Sequence, residues 1–169
     1  MTARLGITPS QTVGPFFHDC MLRDDARCDV VGGDEGGVEI RVHGRVLDGD
    51  GVGVPDAVIE VWQTRGFARV GTDDHGRFSF TAMRGLQAPH LSVAVFARGL
   101  LNHLFTRIYF EDEPPTAADP ILARVPEARR QTLMARLEPG DGLTRAYRFD
   151  IVLQGDAETV FLDFESPRR

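Results

Sequence analysis

The chain has 169 residues, of which 42% are hydrophobic, and a formal charge of −6 at neutral pH. This length is enough for one domain with a substantial core and too short for two independent cores. The negative charge argues against a protein that binds nucleic acid through a general excess of cations. The sequence has neither a leader pattern at its start nor an apolar run of about 18 to 20 residues, so a cytoplasmic protein is predicted.

The first 37 residues differ in pattern from the rest of the chain. Residues 8–17 contain two prolines and a glycine with little periodicity, and residues 32–37 form a glycine-rich, acidic connector. Such composition is typical of segments outside a packed core. We therefore predict an N-terminal arm and connector over residues 1–37, followed by one domain over residues 38–169.

Alternating apolar and polar residues predict several short strands in that domain. From Val38 to Leu47 the apolar side chains recur at every second position, which is typical of a half-buried strand. After turn-forming residues, a second strand is predicted over residues 57–62, paired antiparallel with the first. Further strands are predicted over residues 77–80, 91–97, 105–110, 146–153 and 159–164. Short strands separated by turns indicate an all-β sandwich or barrel.

One region favours helix. Asp119 and Pro120 have the residue types of a helix N-cap and first helical position, and Pro126 has the type that begins another helix. The second helix is predicted to run to about Leu137. We therefore expect one or two short helices beside the strands.

Three segments carry a more specific signal. They read TPSQTVGPF over residues 8–16, GRVLDGDG with VPDAVIEVWQ over residues 44–51 and 54–63, and PHLSVAVFARG over residues 89–99. Together they resemble the intradiol ring-cleavage dioxygenases. Residues 106–113, 147–155 and 158–164 are similar to the iron-free α chains of those members that act on protocatechuate. The resemblance implies an intradiol-dioxygenase-like β-sandwich with an N-terminal arm.

The family's catalytic chains, as the resemblance implies, hold a non-haem Fe(III) with two tyrosinates and two histidines. Here Gln63 is followed after only two residues by Gly66, so the segment that carries the tyrosine ligands is missing. The two tyrosines of the chain lie elsewhere, and the family's His-x-His pair is reduced to His90, for which a structural role is expected. A ferric centre needs several such donors. We therefore predict no metal ligand and no catalytic residue in this chain, with Fe(III) held by a partner β subunit.

The resemblance implies substrate-binding residues instead. In the family the arm of the α chain lines part of the cleft between α and β chains, and the matching residues are Thr12, Gly14, Pro15 and Phe16. A glycine allows close backbone approach, a proline fixes a turn, and a phenylalanine offers a flat apolar wall. Arg98 stands where family α chains place an arginine facing the substrate, and its guanidinium suits a ring carboxylate.

The function implied is that of an α subunit in a hetero-oligomer of αβ units. It would complete the site of the Fe(III)-bearing β subunit, which cleaves protocatechuate with O₂ to 3-carboxy-cis,cis-muconate. No nucleic-acid or membrane partner is expected. A stand-alone transthyretin-like β-sandwich binding module is the alternative from another class, although such a module has no reason to carry the arm. A complete dioxygenase is a third possibility, disfavoured by the absent ligands.

Overall fold

The structure is a computed structural model that describes residues 11–14, 20–22, 37–64, 66–84, 89–113, 119–139 and 144–164. Nearly all the regular structure in these residues is strand. A short helix, α1, spans Glu127–Arg130, between 3₁₀ turns at Leu122–Arg124 and Gln131–Leu133. The strands are β1 Val38–Leu47, β2 Val58–Gln63, β3 Gly66–Gly71, β4 Arg77–Arg84, β5 Leu91–Phe96, β6 Leu104–Phe110, β7 Met134–Leu137, β8 Arg145–Arg148 and β9 Ile151–Val152.

The strands follow one another in the order β3-β2-β5-β6-β7-β8-β1-β4, and β9 pairs with β1 beyond β8. Strands β3, β2, β5 and β6 pair antiparallel, whereas β1 lies parallel to β8 and β9 and antiparallel to β4. Side chains from both halves of this order, including Ile40 and Phe80 from one and Ile59 and Val93 from the other, form a single buried cluster. The predicted all-β sandwich is confirmed.

Alternation decides which side chains form the core. In β1, Ile40, Val42 and Val46 are fully buried and Gly44 is buried too, while the residues that alternate with them are exposed or half-buried. Each such aliphatic side chain contributes about 1.5–3 kcal/mol through its removal from water. Val38, at the start of the strand, is 59% exposed, so the buried apolar positions begin at Ile40, two residues later than predicted.

The predicted pairing of the first two strands is wrong. A tight turn does follow β1, and an isolated bridge joins Leu47 to Gly53. The chain then crosses to the other half of the sandwich, where β2 pairs with β3 and β5. Pro55 has no N–H to donate to a ladder, and Asp56 has a positive φ of 58°, so the hairpin stops here.

The predicted helix from Pro126 to Leu137 is also largely wrong. Only α1 and one 3₁₀ turn form, and the remaining residues become β7, which pairs with β6 and β8. Pairing with two neighbouring strands provides hydrogen-bond partners for the N–H and C=O groups of this segment and overrides its local helical pattern. The predicted strand at residues 159–164 is reduced to one bridge between Leu162 and Phe105, whereas β3 was not predicted.

Most of the predicted arm lies outside the described residues. The first strand begins at Val38, as expected. No helix among the described residues is long and apolar enough to cross a membrane. The division into an arm over residues 1–37 and a domain over residues 38–169 stays a prediction.

The position of Gly44 generates a stability prediction. At this residue β1 passes from β8 to β9, and the Phe149 carbonyl is so close that a Cβ on Gly44 would lie 1.8 Å from its oxygen. Because backbone must move, we expect Gly44→Ala to lower the free energy of unfolding by about 3 kcal/mol, measured by urea denaturation. Gly14→Ala, which would meet no atom within 4 Å, is the control and should change it by less than about 0.5 kcal/mol. Equal urea midpoints for the two variants would contradict this account.

Candidate functional site

Arg98 lies on a tight turn at the end of β5. The Leu100 N–H donates to the Ala97 carbonyl at 3.3 Å, and Gly99 has a φ of 91°, the left-handed value that the third residue of a type II turn requires. Ala97 is buried and anchors the turn in the core. The turn therefore presents the Arg98 side chain, which is half exposed, at the end of the sandwich.

A carboxylate already pairs with Arg98. Its Nη2 donates to Oδ2 of Asp56 at 2.6 Å, and both side chains are substantially exposed. The register explains the contact, because Val58 of β2 lies opposite Phe96 of β5, and Asp56 and Arg98 each lie two residues further along. Exposed ion pairs of this kind contribute little stability, so another anion can compete for the arginine. No sequence pattern singled out Asp56.

The arm reaches the same turn. Oγ1 of Thr12 accepts a hydrogen bond from the Gly99 N–H at 2.7 Å, so two predicted site residues, Thr12 and Arg98, are brought together. Gly14 is exposed, and no described contact accounts for its lack of a side chain. Pro15 and Phe16 lie outside the described residues, so their predicted roles stay predictions.

His90 packs inside the fold. It precedes β5 and its ring packs at a tilt of 49° against Tyr109 of β6, with 5.5 Å between ring centroids. Its Nδ1 is buried without a hydrogen-bond partner and lies 3.7 Å from Oδ2 of Asp119. Burial and the nearby Arg107 cation lower the pKa of His90, and the attraction of Asp119 opposes them only in part. The folded environment therefore favours the neutral form of this imidazole.

Asp119 organises the groups around His90. Its Oδ2 accepts a hydrogen bond from the Tyr109 hydroxyl at 3.0 Å, and its Oδ1 accepts from the N–H groups of Ile121 and Leu122, at 2.9 and 3.1 Å. Burial alone would raise the pKa of Asp119, but these hydrogen bonds hold it below its usual value. The helix predicted to start at Asp119 does not form: a 3₁₀ turn with Ile121 at its N-cap position follows, and Asp119 instead accepts hydrogen bonds from the backbone that leads into it.

The second tyrosine is held in a similar way. The Tyr147 hydroxyl donates to Oδ2 of Asp112 at 3.0 Å and also contacts Arg84. Arg84 donates to Asp112 and Glu113, both at 2.8 Å. Burial raises the pKa of Tyr147, and the bond to Asp112 adds to the effect. Tyr147 is thus a protonated, structural phenol.

These donors do not fit a ferric centre. Burial raises the pKa of Tyr109 as well, so both tyrosines favour the phenol form instead of the phenolate that iron binds. His90 has one nitrogen enclosed by protein. Within the described ranges, no group of three or more His, Cys, Asp or Glu side chains is arranged to hold a metal ion.

Comparison with known proteins finds relatives over almost the whole chain. It is 37% identical to the protocatechuate 3,4-dioxygenase α chain of Burkholderia cepacia, covering 92% of this chain and 96% of the relative. The chain belongs to the protocatechuate 3,4-dioxygenase α-chain family. Its α-chain relative from Pseudomonas putida is 36% identical over 93% of this chain and 96% of its own length. The predicted resemblance is confirmed.

The chain is also similar to a β chain. The protocatechuate 3,4-dioxygenase β chain of Burkholderia cepacia is 30% identical over 86% of this chain and 75% of its own length. Among solved structures, the dioxygenase domain of a carbohydrate-binding fusion protein from Streptomyces sp. SirexAA-E has a TM-score of 0.59 at 24% identity, covering 88% of this chain and 98% of its own. Catechol 1,2-dioxygenase from Acinetobacter sp. ADP1 has a TM-score of 0.52 at 20% identity, covering 85% and 61%. These structures share the fold. No family model matches the chain.

The environment of His90 predicts a pH dependence of stability. Because its pKa in the folded chain is below the ordinary 6.5, the unfolded chain binds this proton first as the pH falls, and folding becomes less favourable. We expect the free energy of unfolding of the wild-type chain to decrease from about pH 7.5 to about pH 5.5. In the His90→Asn variant it should decrease less over the same range. Urea unfolding at the two pH values measures this difference.

The control for that experiment is His103→Asn, at an exposed histidine, which should retain the wild-type decrease. Asp119, whose pKa is lowered from 3.8, changes the stability only at pH values below about 3.8, which are outside the range of this experiment. An unchanged decrease in His90→Asn would show that burial of His90 does not govern the acid response.

Proposed function

We propose that this chain is the α subunit of a protocatechuate 3,4-dioxygenase and completes a substrate site whose Fe(III) is held by the β subunit. The observation that carries the proposal is the near-full-length relationship to α chains of that enzyme in two organisms. A stand-alone binding module would have no reason to retain this likeness from the arm to the last strand. The proposal places the chain in a hetero-oligomer of αβ units.

The relationship to a β chain supports the assembly. Two chains with a common fold can pack as similar halves of one unit, each contributing to a cleft between them. The donor set of this chain supports placing the metal on the partner, since the described tyrosines and His90 are engaged in the fold. When bound there, the iron would ligate the catechol oxygens and prepare the ring for O₂.

Arg98 is proposed to bind the ring carboxylate of protocatechuate. A guanidinium has several N–H donors in a planar fork, and the contact with Asp56 involves only Nη2. Substrate carboxylate can therefore add to this ion pair or displace Asp56 from it. The role of Arg98 is to orient and hold the substrate, and it takes no part in proton or electron transfer.

The arm is proposed to position the substrate ring. The hydrogen bond from Gly99 to Thr12 ties the arm to the arginine's own turn. Beyond it, the open space at Gly14 leaves room for a partner or ligand to approach the backbone. Pro15 and Phe16 are proposed, from the resemblance, to supply a fixed turn and an apolar wall. A cytoplasmic location remains part of the proposal.

Co-expression tests the division of labour between chains. We expect iron and protocatechuate-dependent oxygen uptake when this chain is purified together with its β chain, and neither when it is purified alone. Metal analysis and an oxygen electrode give the two readouts. Iron and turnover in this chain alone would contradict the proposal, and failure to form a complex with the β chain would favour the binding module.

Substitutions at the ion pair test the role of Arg98. In the αβ complex, we expect Arg98→Gln to lower kcat/KM for protocatechuate roughly tenfold or more, mainly through KM, because a charge-assisted hydrogen bond is lost. Asp56→Asn should lower KM, because it removes the competing carboxylate. Steady-state oxygen uptake measures both.

Two controls make this test specific. Arg124→Gln removes an exposed arginine from a 3₁₀ turn elsewhere and should leave kcat/KM unchanged. Catechol, which lacks the ring carboxylate, should be much less sensitive to Arg98→Gln than protocatechuate. Equal losses for the two substrates would show that Arg98 does not recognise the carboxylate.

A further inference from the structure

A wide groove lies on the outer face of β1, β4 and β8, in the half of the strand order that does not contain β5 and the Arg98 turn. This outer groove has a volume of about 970 Å³, near the upper end of the range for small-molecule sites. Three arginines line it, Arg41 and Arg45 of β1 and Arg77 of β4. The whole chain has a formal charge of −6, so a gathering of cations on one face calls for a reason.

Strand register places two of these arginines side by side. Arg45 of β1 lies directly opposite Arg77 of β4 in the antiparallel pair. Arg41 is on the same face of β1, four residues before Arg45 and therefore about 13 Å along the strand. Like charges directly opposite each other in a sheet destabilise it. An anion bound between Arg45 and Arg77 would remove this repulsion.

Two carboxylates near the arginines have other partners. Oε2 of Glu138 lies 3.0 Å from Nε2 of His43. Oδ2 of Asp150 accepts a hydrogen bond from the Arg148 guanidinium at 2.8 Å, and its Oδ1 accepts from the backbone N–H of Arg45 at 3.0 Å. Neither carboxylate forms an ion pair with the Arg45 guanidinium, so its charge is left without a direct counter-ion among the described residues.

The third carboxylate, Asp73, is bound by backbone. Its Oδ1 accepts hydrogen bonds from the N–H groups of His75 and Arg77, at 2.9 and 2.8 Å. These bonds close the turn before β4, and Asp73 forms no ion pair with the Arg77 guanidinium. The Arg77 side chain is exposed and makes no hydrogen bond with a described residue.

The other two arginines are already held in place. Nε of Arg41 donates to Oγ of Ser79 at 3.0 Å, and Nε of Arg45 donates to the His75 carbonyl at 3.1 Å. In the described part of the chain, no acceptor contacts Nη1 or Nη2 of either side chain. A guanidinium held through Nε by a neutral acceptor keeps its charge and its Nη donors for an anion. Because it is partly ordered beforehand, it also loses less side-chain freedom on binding.

We propose that the outer groove binds a small polycarboxylate, with one carboxylate between Arg45 and Arg77 and a second at Arg41. Guanidinium groups form forked, charge-assisted hydrogen bonds with carboxylates. The separation of Arg41 from Arg45 along β1 suits acidic groups spread over a short carbon chain better than one compact oxyanion. The inference goes beyond the proposed function and does not rest on it, because the three arginines lie away from the Arg98 turn.

Tricarballylate is the probe, because it has three carboxylates on a three-carbon chain and no aromatic ring. The full chain, in the assembly in which it purifies, is titrated by calorimetry at an ionic strength kept constant with sodium chloride. We expect one tricarballylate per chain, at least tenfold weaker binding after Arg45→Gln or Arg77→Gln, and severalfold weaker binding after Arg41→Gln. Butyrate, which has a single carboxylate, should bind at least tenfold more weakly.

A second readout separates loss of binding from misfolding. Tricarballylate should raise the urea midpoint of the wild-type chain above its value in sodium chloride of equal ionic strength, because a ligand that binds only the folded chain stabilises it. The rise should disappear in Arg77→Gln, which changes an exposed side chain and carries the test if Arg45→Gln fails to fold. It should persist in the control Arg124→Gln, on a 3₁₀ turn elsewhere.

Four results would overturn the inference. Binding lost in Arg98→Gln but kept in Arg45→Gln and Arg77→Gln would place the probe at the Arg98 turn, and would leave the proposed function standing. Pyrophosphate binding at least tenfold more tightly than tricarballylate would make the groove a phosphate site. Binding that appears only when Asp24→Asn and Asp25→Asn are combined would show that acidic residues of the chain itself exclude the ligand. Binding to the chain alone that disappears on addition of the β chain would show that a protein partner covers the groove.

Discussion

Strand β5 lies between β2 and β6, and its antiparallel register with both determines much of the rest of the structure. Leu91, Val93 and Val95 enter the core because they alternate with residues on the other face. A slip of one residue would reverse every side chain of the strand. The same register sets Arg98 opposite Asp56 and places small side chains between large ones on the outer face. One pairing pattern therefore defines both the core and the position of the arginine turn.

Two buried tyrosines show how polar groups are accommodated beside the core. Tyr109 bonds Asp119 beside Arg107, and Tyr147 bonds Asp112 beside Arg84. In each case a phenol, a carboxylate and a guanidinium serve as hydrogen-bond partners for one another. A buried hydroxyl without such a partner would make folding less favourable. Tyrosine chemistry that serves metal binding in the catalytic chains, as the resemblance implies, here supports the fold.

The sequence predicted local features well and long-range features poorly. The bounds of β1 were predicted correctly because alternation is a property of ten consecutive residues. The first hairpin and the helix after Pro126 were wrong because partners far along the chain decide those pairings. Arg98 and Thr12 were found through the resemblance, whereas the Asp56 contact follows only from the register of β2 with β5. The contact of His90 with Asp119 likewise required the tertiary structure.

The parallel pairing of β1 with β8 and β9 has a consequence for biosynthesis. Strand β1 is among the first parts of the domain to leave the ribosome, yet its neighbours Arg145–Arg148 and Ile151–Val152 are among the last. One edge of β1 therefore stays unpaired until the last strands of this domain are synthesised, and such edges invite association with other chains. Charged side chains at Glu39 and Arg41, on the outward face, discourage that association. Completion of the sandwich is thus a late event, timed by emergence of the C-terminal strands.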